Sequence, residues 1–132
     1  MSDTLLNDLN EKQKLAVKHT DGPVLILAGA GSGKTRVLTY RVAYLIAEKC
    51  ISPDAILMLT FTNKAAEAMK ERLGKLITST TLPFAGTFHS FCVRVLRRDG
   101  GEIKITPNFL IYDSEDQLDV VKGVMKALDI ST

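Results

Sequence analysis

Apolar residues recur along this chain in two rhythms, one close to a strand's repeat of two and one close to a helix's repeat of about 3.6. Val24-Leu25-Ile26-Leu27 is a continuous apolar run, the pattern of a strand buried on both faces, and it predicts a strand over 24–28. Ile56 to Phe61 and Phe84 to Thr87 read as two more strands, and Phe109 to Tyr112 as a last one. Between them the rhythm changes. Leu38, Val42, Leu45 and Ile46 form one stripe on a helix from Lys34 to about Lys49. Ala66, Met69 and Leu73 do the same on a helix that follows Thr62 or Asn63 and ends near Leu76. Phe88, Phe91, Cys92, Val95 and Leu96 line a helix stopped by Gly100, and Leu118, Val121, Val124, Met125 and Leu128 line a final one. Asn10 with Gln13, and Ser114 with Gln117, have the spacing of capping boxes, while Ser52-Pro53 marks a single helical turn.

Short apolar strands alternating with amphipathic helices imply an α/β fold, a parallel sheet with helices on both faces. The last helix stops near the end of the chain with no closing element after it, which predicts an incomplete fold in a truncated chain. Composition adds bounds. With 132 residues and 45% apolar content, the chain can bury one core. Every apolar run is interrupted by a charge before it reaches membrane-spanning length, and the N-terminus is neither a signal nor a transit peptide. No membrane contact and a cytoplasmic location are the expectations. Cys50 and Cys92 match no metal spacing and read as reduced structural thiols. The net charge of +2 does not announce a nucleic-acid binder, although Lys64, Lys70, Arg72, Lys75, Arg94, Arg97 and Arg98 outnumber the acids of the middle third.

Chemistry enters directly after the first strand. Ala28-Gly29-Ala30-Gly31-Ser32-Gly33-Lys34-Thr35 is a glycine-rich turn leading into a helix, the context of a phosphate-binding loop. Glycines let successive backbone N–H groups approach one anion, and the helix N-terminus adds partial positive charge. Lys34 would reach the β- and γ-phosphates, and the Thr35 hydroxyl would take a place on Mg²⁺. The usual first glycine is Ala28 here. These residues predict a P-loop NTPase that binds a nucleoside triphosphate.

Three further stretches join the loop: Leu9-Asn10-Glu11-Lys12-Gln13, Leu59 to Ala66 (LTFTNKAA), and Gly86-Thr87-Phe88-His89-Ser90-Phe91. In order and spacing the four resemble the Q motif and motifs I, Ia and Ib of UvrD/PcrA/Rep-type superfamily 1 DNA helicases. The resemblance runs from about Leu9 to Leu128. It implies a RecA-like motor fold, with residues 1–112 in motor subdomain 1A and 113–132 opening an inserted helical subdomain 1B. It implies ATP and Mg²⁺ as cofactors and single-stranded DNA, with single-strand/duplex junctions, as the partner of a 3′–5′ translocase acting in DNA repair or replication. Gln13 would contact the adenine edge, where an amide both donates and accepts, or serve as a helix cap; the two roles can coexist. Arg36 would lie beside the base or sugar, or stand as an exposed helix residue. Phe61, by residue type alone a core side chain at a strand end, would stack on a base, with Thr62 and Asn63 on phosphate or sugar. Thr87, His89 and Ser90 would meet DNA backbone, though a lone histidine also serves as partner to a loop carbonyl. His19 has no motif around it and reads as surface.

One match is refused. Leu110 to Asp116 looks like a strand ending in magnesium-binding carboxylates, but the family's metal motif needs Asp followed at once by Glu, an order absent from the chain. Glu115 and Asp116 instead suit the first turn of a helix. With no general base for water and no second motor domain, the chain by itself is expected to hydrolyse ATP negligibly. Two alternatives stay open: a RecB/AddA-type helicase–nuclease subunit, and a P-loop nucleotide module with other partners.

Overall fold

The computed structural model describes residues 5–78 and 81–130; the outermost ends of both expected subdomains lie outside them. Two compact units emerge, residues 1–91 and 92–132.

In the first unit, α1 (Glu11–Lys18) starts as expected: the Asn10 side chain accepts from the Gln13 N–H at 2.9 Å, and Gln13 Oε1 accepts from the Asn10 N–H at 3.1 Å. α2 (Lys34–Ala47) follows the glycine-rich turn. A single turn at Pro53–Ala55 precedes β1 (Leu57–Thr60), then α3 (Asn63–Leu76) and β2 (Phe84–Thr87). β1 and β2 are parallel, with Leu57 opposite Phe84 and Thr60 opposite Thr87. α3 covers this small sheet because its Ala66, Met69 and Leu73 share one face and pack with Met58, Ala85, Val42, Ala43 and Ile77. A second cluster, Leu6, Leu9, Val17 and Val37, joins α1 to α2. The Arg41 guanidinium locks this joint from the polar side by donating to the Ala16 carbonyl at 2.7 Å and to the His19 carbonyl.

Several expectations are corrected. Residues 24–28 form no ladder, because a strand needs a neighbour's N–H and C=O groups and none among the described residues pairs with them. Their side chains still alternate: Ile26 packs against the α1/α2 cluster, while Leu25 and Leu27 are 84% and 86% exposed. Residues 109–112 likewise form no strand, for the same reason. The expected four-stranded sheet is therefore a two-stranded one among the described residues. The buried stripe of α2 is centred on Val37, Thr39, Val42 and Ala43, so Leu38 is half exposed. Leu38, Val42 and Leu45 instead line a groove of about 330 Å³ with Ile56, Leu57 and Met69.

α4 (Phe88–Asp99) begins in the first unit, where the Phe84 and Phe91 rings meet with centroids 5.9 Å apart. Its apolar stripe is not buried: Phe88 is exposed, and so is Cys92, against expectation. Cys50 is exposed as well. In the second unit α4 passes into a turn at Gly100–Ile103, where Gly100 packs tightly against Ile105 and Arg97 stacks over Phe109 at 5.9 Å. α5 (Ser114–Ala127) is capped by Asp113, not Ser114, and the box is closed by Asp116, not Gln117. Asp113 Oδ1 accepts from the Glu115 and Asp116 N–H groups at 2.8 and 2.9 Å, and Asp116 Oδ2 accepts from the Asp113 N–H at 3.1 Å. Leu118, Val121, Val124 and Leu128 lie on α5 or just beyond it, and all are more than half exposed. Among the described residues no helix is long and apolar enough to cross a membrane.

Candidate functional site

The glycine-rich turn is shaped by backbone freedom and by its own polar atoms. Gly31 and Gly33 have φ of 73° and 86°, in the left-handed region that favours glycine. Ala28 does not enter that region, so its methyl group replaces a glycine without backbone strain. Within the turn Ser32 Oγ donates to the Gly29 carbonyl at 2.6 Å. Lys34 Nζ donates to the Ala28 and Gly29 carbonyls at 2.9 and 2.7 Å, so the loop's cation lies against the loop's own acceptors. Gly29, Ala30, Gly31, Ser32, Lys34 and Thr35 are all exposed. Gly33 is the N-cap of α2 and offers no side chain to its first N–H groups. Those donors are free of a side-chain cap and face an anion's natural position at a helix start.

Gln13 reaches this turn from α1. Its Nε2 donates to the Ser32 carbonyl at 3.1 Å, and the same atom lies 3.1 Å from where a Cβ on Gly33 would stand. Arg36 projects one turn into α2, stacked over Tyr40 at 5.4 Å and 3.7 Å from the Asp8 carboxylate. Tyr40 Oη donates to the same carboxylate at 3.5 Å. Asp8 was not legible as a site neighbour; the Arg36–Tyr40 pair, one helical turn apart, was a readable signal. A cavity of about 390 Å³ beside Arg36 is lined by Thr39, Tyr40, Arg72, Lys75 and Leu76.

The other predicted residues gather at the carboxyl edge of the sheet. Because Thr60 is paired with Thr87, the junctions that follow β1 and β2 sit side by side. At the first, Thr60 Oγ1 donates to the Thr62 carbonyl at 2.8 Å, and Thr62 Oγ1 caps α3 by accepting from the Ala65 N–H at 3.2 Å. Phe61, 97% exposed, is turned out of the core that residue type alone favoured. Asn63 is exposed beside it. At the second junction the Ser90 N–H donates to Thr87 Oγ1 at 3.2 Å, and Ser90 Oγ donates to the Thr87 carbonyl at 2.8 Å. His89 is exposed there. Buried Gly86 allows this turn: a Cβ would stand 2.5 Å from Ser90 Oγ and 2.9 Å from Phe84 Cζ.

No cluster of three or more His, Cys, Asp or Glu residues able to hold a metal occurs among the described residues. Asp113 and Asp116 spend carboxylate oxygens on capping α5, and Glu115 and Asp116 lie in its first turn.

A glycine turn that opens a helix, and a small parallel strand pair whose carboxyl ends carry exposed side chains, give a mixed α/β arrangement in line with the N-terminal domain of a helicase. The chain belongs to the UvrD/REP helicase N-terminal domain family, whose model matches residues 9–132. Among curated relatives, it is 55% identical over 129 residues to the ATP-dependent DNA helicase PcrA of Staphylococcus aureus (strain NCTC 8325 / PS 47), covering 97% of this chain and 18% of that protein. It is 56% identical over 127 residues to the protein of the same name from Bacillus subtilis (strain 168), covering 96% of this chain and 17% of that one. The chain thus spans less than a fifth of the length of these relatives.

Proposed function

We propose that this chain is the nucleotide-binding and single-strand-binding N-terminal part of an ATP-dependent 3′–5′ DNA helicase that couples ATP hydrolysis to duplex unwinding in repair or replication. The observation that carries the reading is the uncapped, glycine-shaped start of α2, found in a chain whose relatives are named ATP-dependent DNA helicases. In this reading Ala28 to Gly33 wrap the phosphates, Lys34 exchanges the two loop carbonyls for phosphate oxygens, and the Thr35 hydroxyl ligates Mg²⁺. The metal supplies neutralisation of phosphate charge. Gln13 and Arg36 take the base and sugar. Phe61, Thr62 and Asn63, with Thr87, His89 and Ser90, take single-stranded DNA, the ring by stacking and the polar groups on the backbone. Residues 1–112 are motor subdomain 1A, and residues 113–132 open subdomain 1B. The 24–28 segment and the groove along α2 are completed by further strands of a full P-loop sheet. The name shared by the relatives favours this reading over a helicase–nuclease.

Two binding titrations test it: a fluorescent ATP analogue with Mg²⁺, and a labelled single-stranded oligonucleotide at two salt concentrations. Lys34→Ala is expected to weaken the nucleotide by at least about tenfold, the scale of a lost charge-assisted hydrogen bond, and to leave DNA binding in place. A Phe61→Ala, His89→Ala double variant is expected to do the reverse. Unchanged nucleotide affinity in Lys34→Ala overturns the phosphate-loop assignment. Salt-insensitive or absent oligonucleotide binding by folded protein overturns the DNA edge.

A further inference from the structure

Gln13 makes more connections than a base contact requires. Its Oε1 accepts from the Asn10 N–H at 3.1 Å, closing the cap of α1, while its Nε2 donates to the Ser32 carbonyl at 3.1 Å, inside the glycine turn. The same nitrogen stands against Gly33, the residue at φ 86° that launches α2. α1 itself is held firmly to α2 by the Val17/Val37 cluster and by Arg41. The side chain is therefore a strut from a packed helix to an otherwise exposed loop.

The inventory of the amide sharpens this. A glutamine carries two N–H donors and two lone pairs on its oxygen. One donor and one lone pair are used here. One of each remains for a base edge, so cap, strut and base contact are compatible in a single side chain. Ser32 has its hydroxyl on Gly29, and Lys34 has its ammonium on Ala28 and Gly29. Of these polar groups, only the Gln13 amide ties the turn to a separate secondary-structure element.

We infer that Gln13 is a positioning residue for the phosphate loop, acting through its Nε2–Ser32 carbonyl bond, independently of any contact with the base. This rests on the nucleotide-binding reading above. Its consequence is that an anion with no base at all is sensitive to this residue. A residue that serves only to read adenine would leave such an anion indifferent.

The test uses magnesium tripolyphosphate, followed by calorimetry on the 132-residue chain, beside ATP under the same conditions. Gln13→Met keeps the length of the side chain and removes both polar atoms. Asn10→Ala breaks the cap of α1 and keeps the strut, so it controls for simple loosening of the helix. Far-ultraviolet circular dichroism and the unfolding midpoint establish that each variant is folded. The expected result is a loss of tripolyphosphate affinity of about three- to tenfold in Gln13→Met, the range of one hydrogen bond, with Asn10→Ala close to wild type. If Gln13→Met loses ATP affinity but binds tripolyphosphate as wild type does, the strut is refuted and only base reading remains. If Asn10→Ala loses as much as Gln13→Met, the effect belongs to the cap, and the inference also falls. Lys34→Ala separates the two levels: should it bind tripolyphosphate like wild type, the phosphate-loop reading itself fails. Should it lose binding while Gln13→Met does not, only the present inference fails.

Discussion

Two kinds of loop-to-helix junction occur in the first unit, and they differ at one atom. Where the glycine turn enters α2, the N-cap is Gly33 and no side chain satisfies the first N–H groups. Where β1 enters α3, Thr62 Oγ1 accepts from the Ala65 N–H; where β2 enters α4, Thr87 Oγ1 accepts from the Ser90 N–H. An uncapped start keeps its backbone donors for a ligand, whereas a capped start has already spent one. On the proposed reading, the first junction would bind through backbone, and the other two through the side chains they display, above all Phe61. What the structure shows is that the choice of glycine or threonine at a helix start decides whether its first backbone donors stay free of a side-chain cap.

The largest expected effect comes from removing what both threonine junctions rest on. Leu73, 1% exposed under the β1/β2 pair, cut back to alanine should cost about 2–5 kcal/mol. Denaturant unfolding reads the loss, and oligonucleotide binding should fall with it. Next comes Phe61→Ala. Because the ring is 97% exposed, the unfolding midpoint should hold while single-strand affinity drops by roughly 1–3 kcal/mol, the scale of one base–aromatic stack. A drop in stability as well would mean that the ring packs in solution, and the contrast would blur.

A matched pair then probes the junctions themselves. Thr62→Ala should destabilise by about 1 kcal/mol through the lost cap and leave tripolyphosphate binding alone. Gly33→Ala should add about 1–2 kcal/mol of left-handed strain and press a methyl group toward Gln13, weakening tripolyphosphate while sparing DNA. Crossed results would erase the distinction. The smallest effect is electrostatic. A hydrogen bond from Lys75 holds the Glu71 carboxyl below its ordinary value of 4.5, and a hydrogen bond from Arg98 does the same for Asp99. A carboxylate with a depressed pKa stabilises the fold fully above its unfolded value and loses that contribution as pH falls through the folded value. Both groups are solvent-exposed, so an acid titration of the unfolding midpoint should show only a shallow decline below about pH 4.5, slightly shallower in Glu71→Gln.

What could be read from the residues was what is decided locally. The Asn10–Gln13 box and the glycine turn each depend on neighbours a few positions away. The 24–28 segment shows the limit: its composition is that of a strand, but a ladder is made by a partner's backbone, which no pattern within the segment encodes. At the start of α5 residue spacing favours Ser114 with Gln117 as the cap, whereas the structure uses Asp113, because Asp116 reaches back to the Asp113 N–H. On α2 periodicity favours Leu38 inside, whereas packing against two different clusters buries Val37 on one and Val42 with Ala43 on the other. Asp8 reached Arg36 across 28 positions of chain, a separation at which periodicity is silent.

The outward pair Leu25 and Leu27 has a practical consequence for anyone handling the polypeptide. An apolar stretch that joins no ladder among the described residues, with two aliphatic side chains in water, is a template for intermolecular β-pairing. No charge or proline interrupts the four residues 24–27 to act as a gatekeeper. Colloidal behaviour, and with it the concentration at which solutions of this chain stay clear, is therefore expected to depend on the segment between Pro23 and the glycine turn more than on the modest net charge of +2.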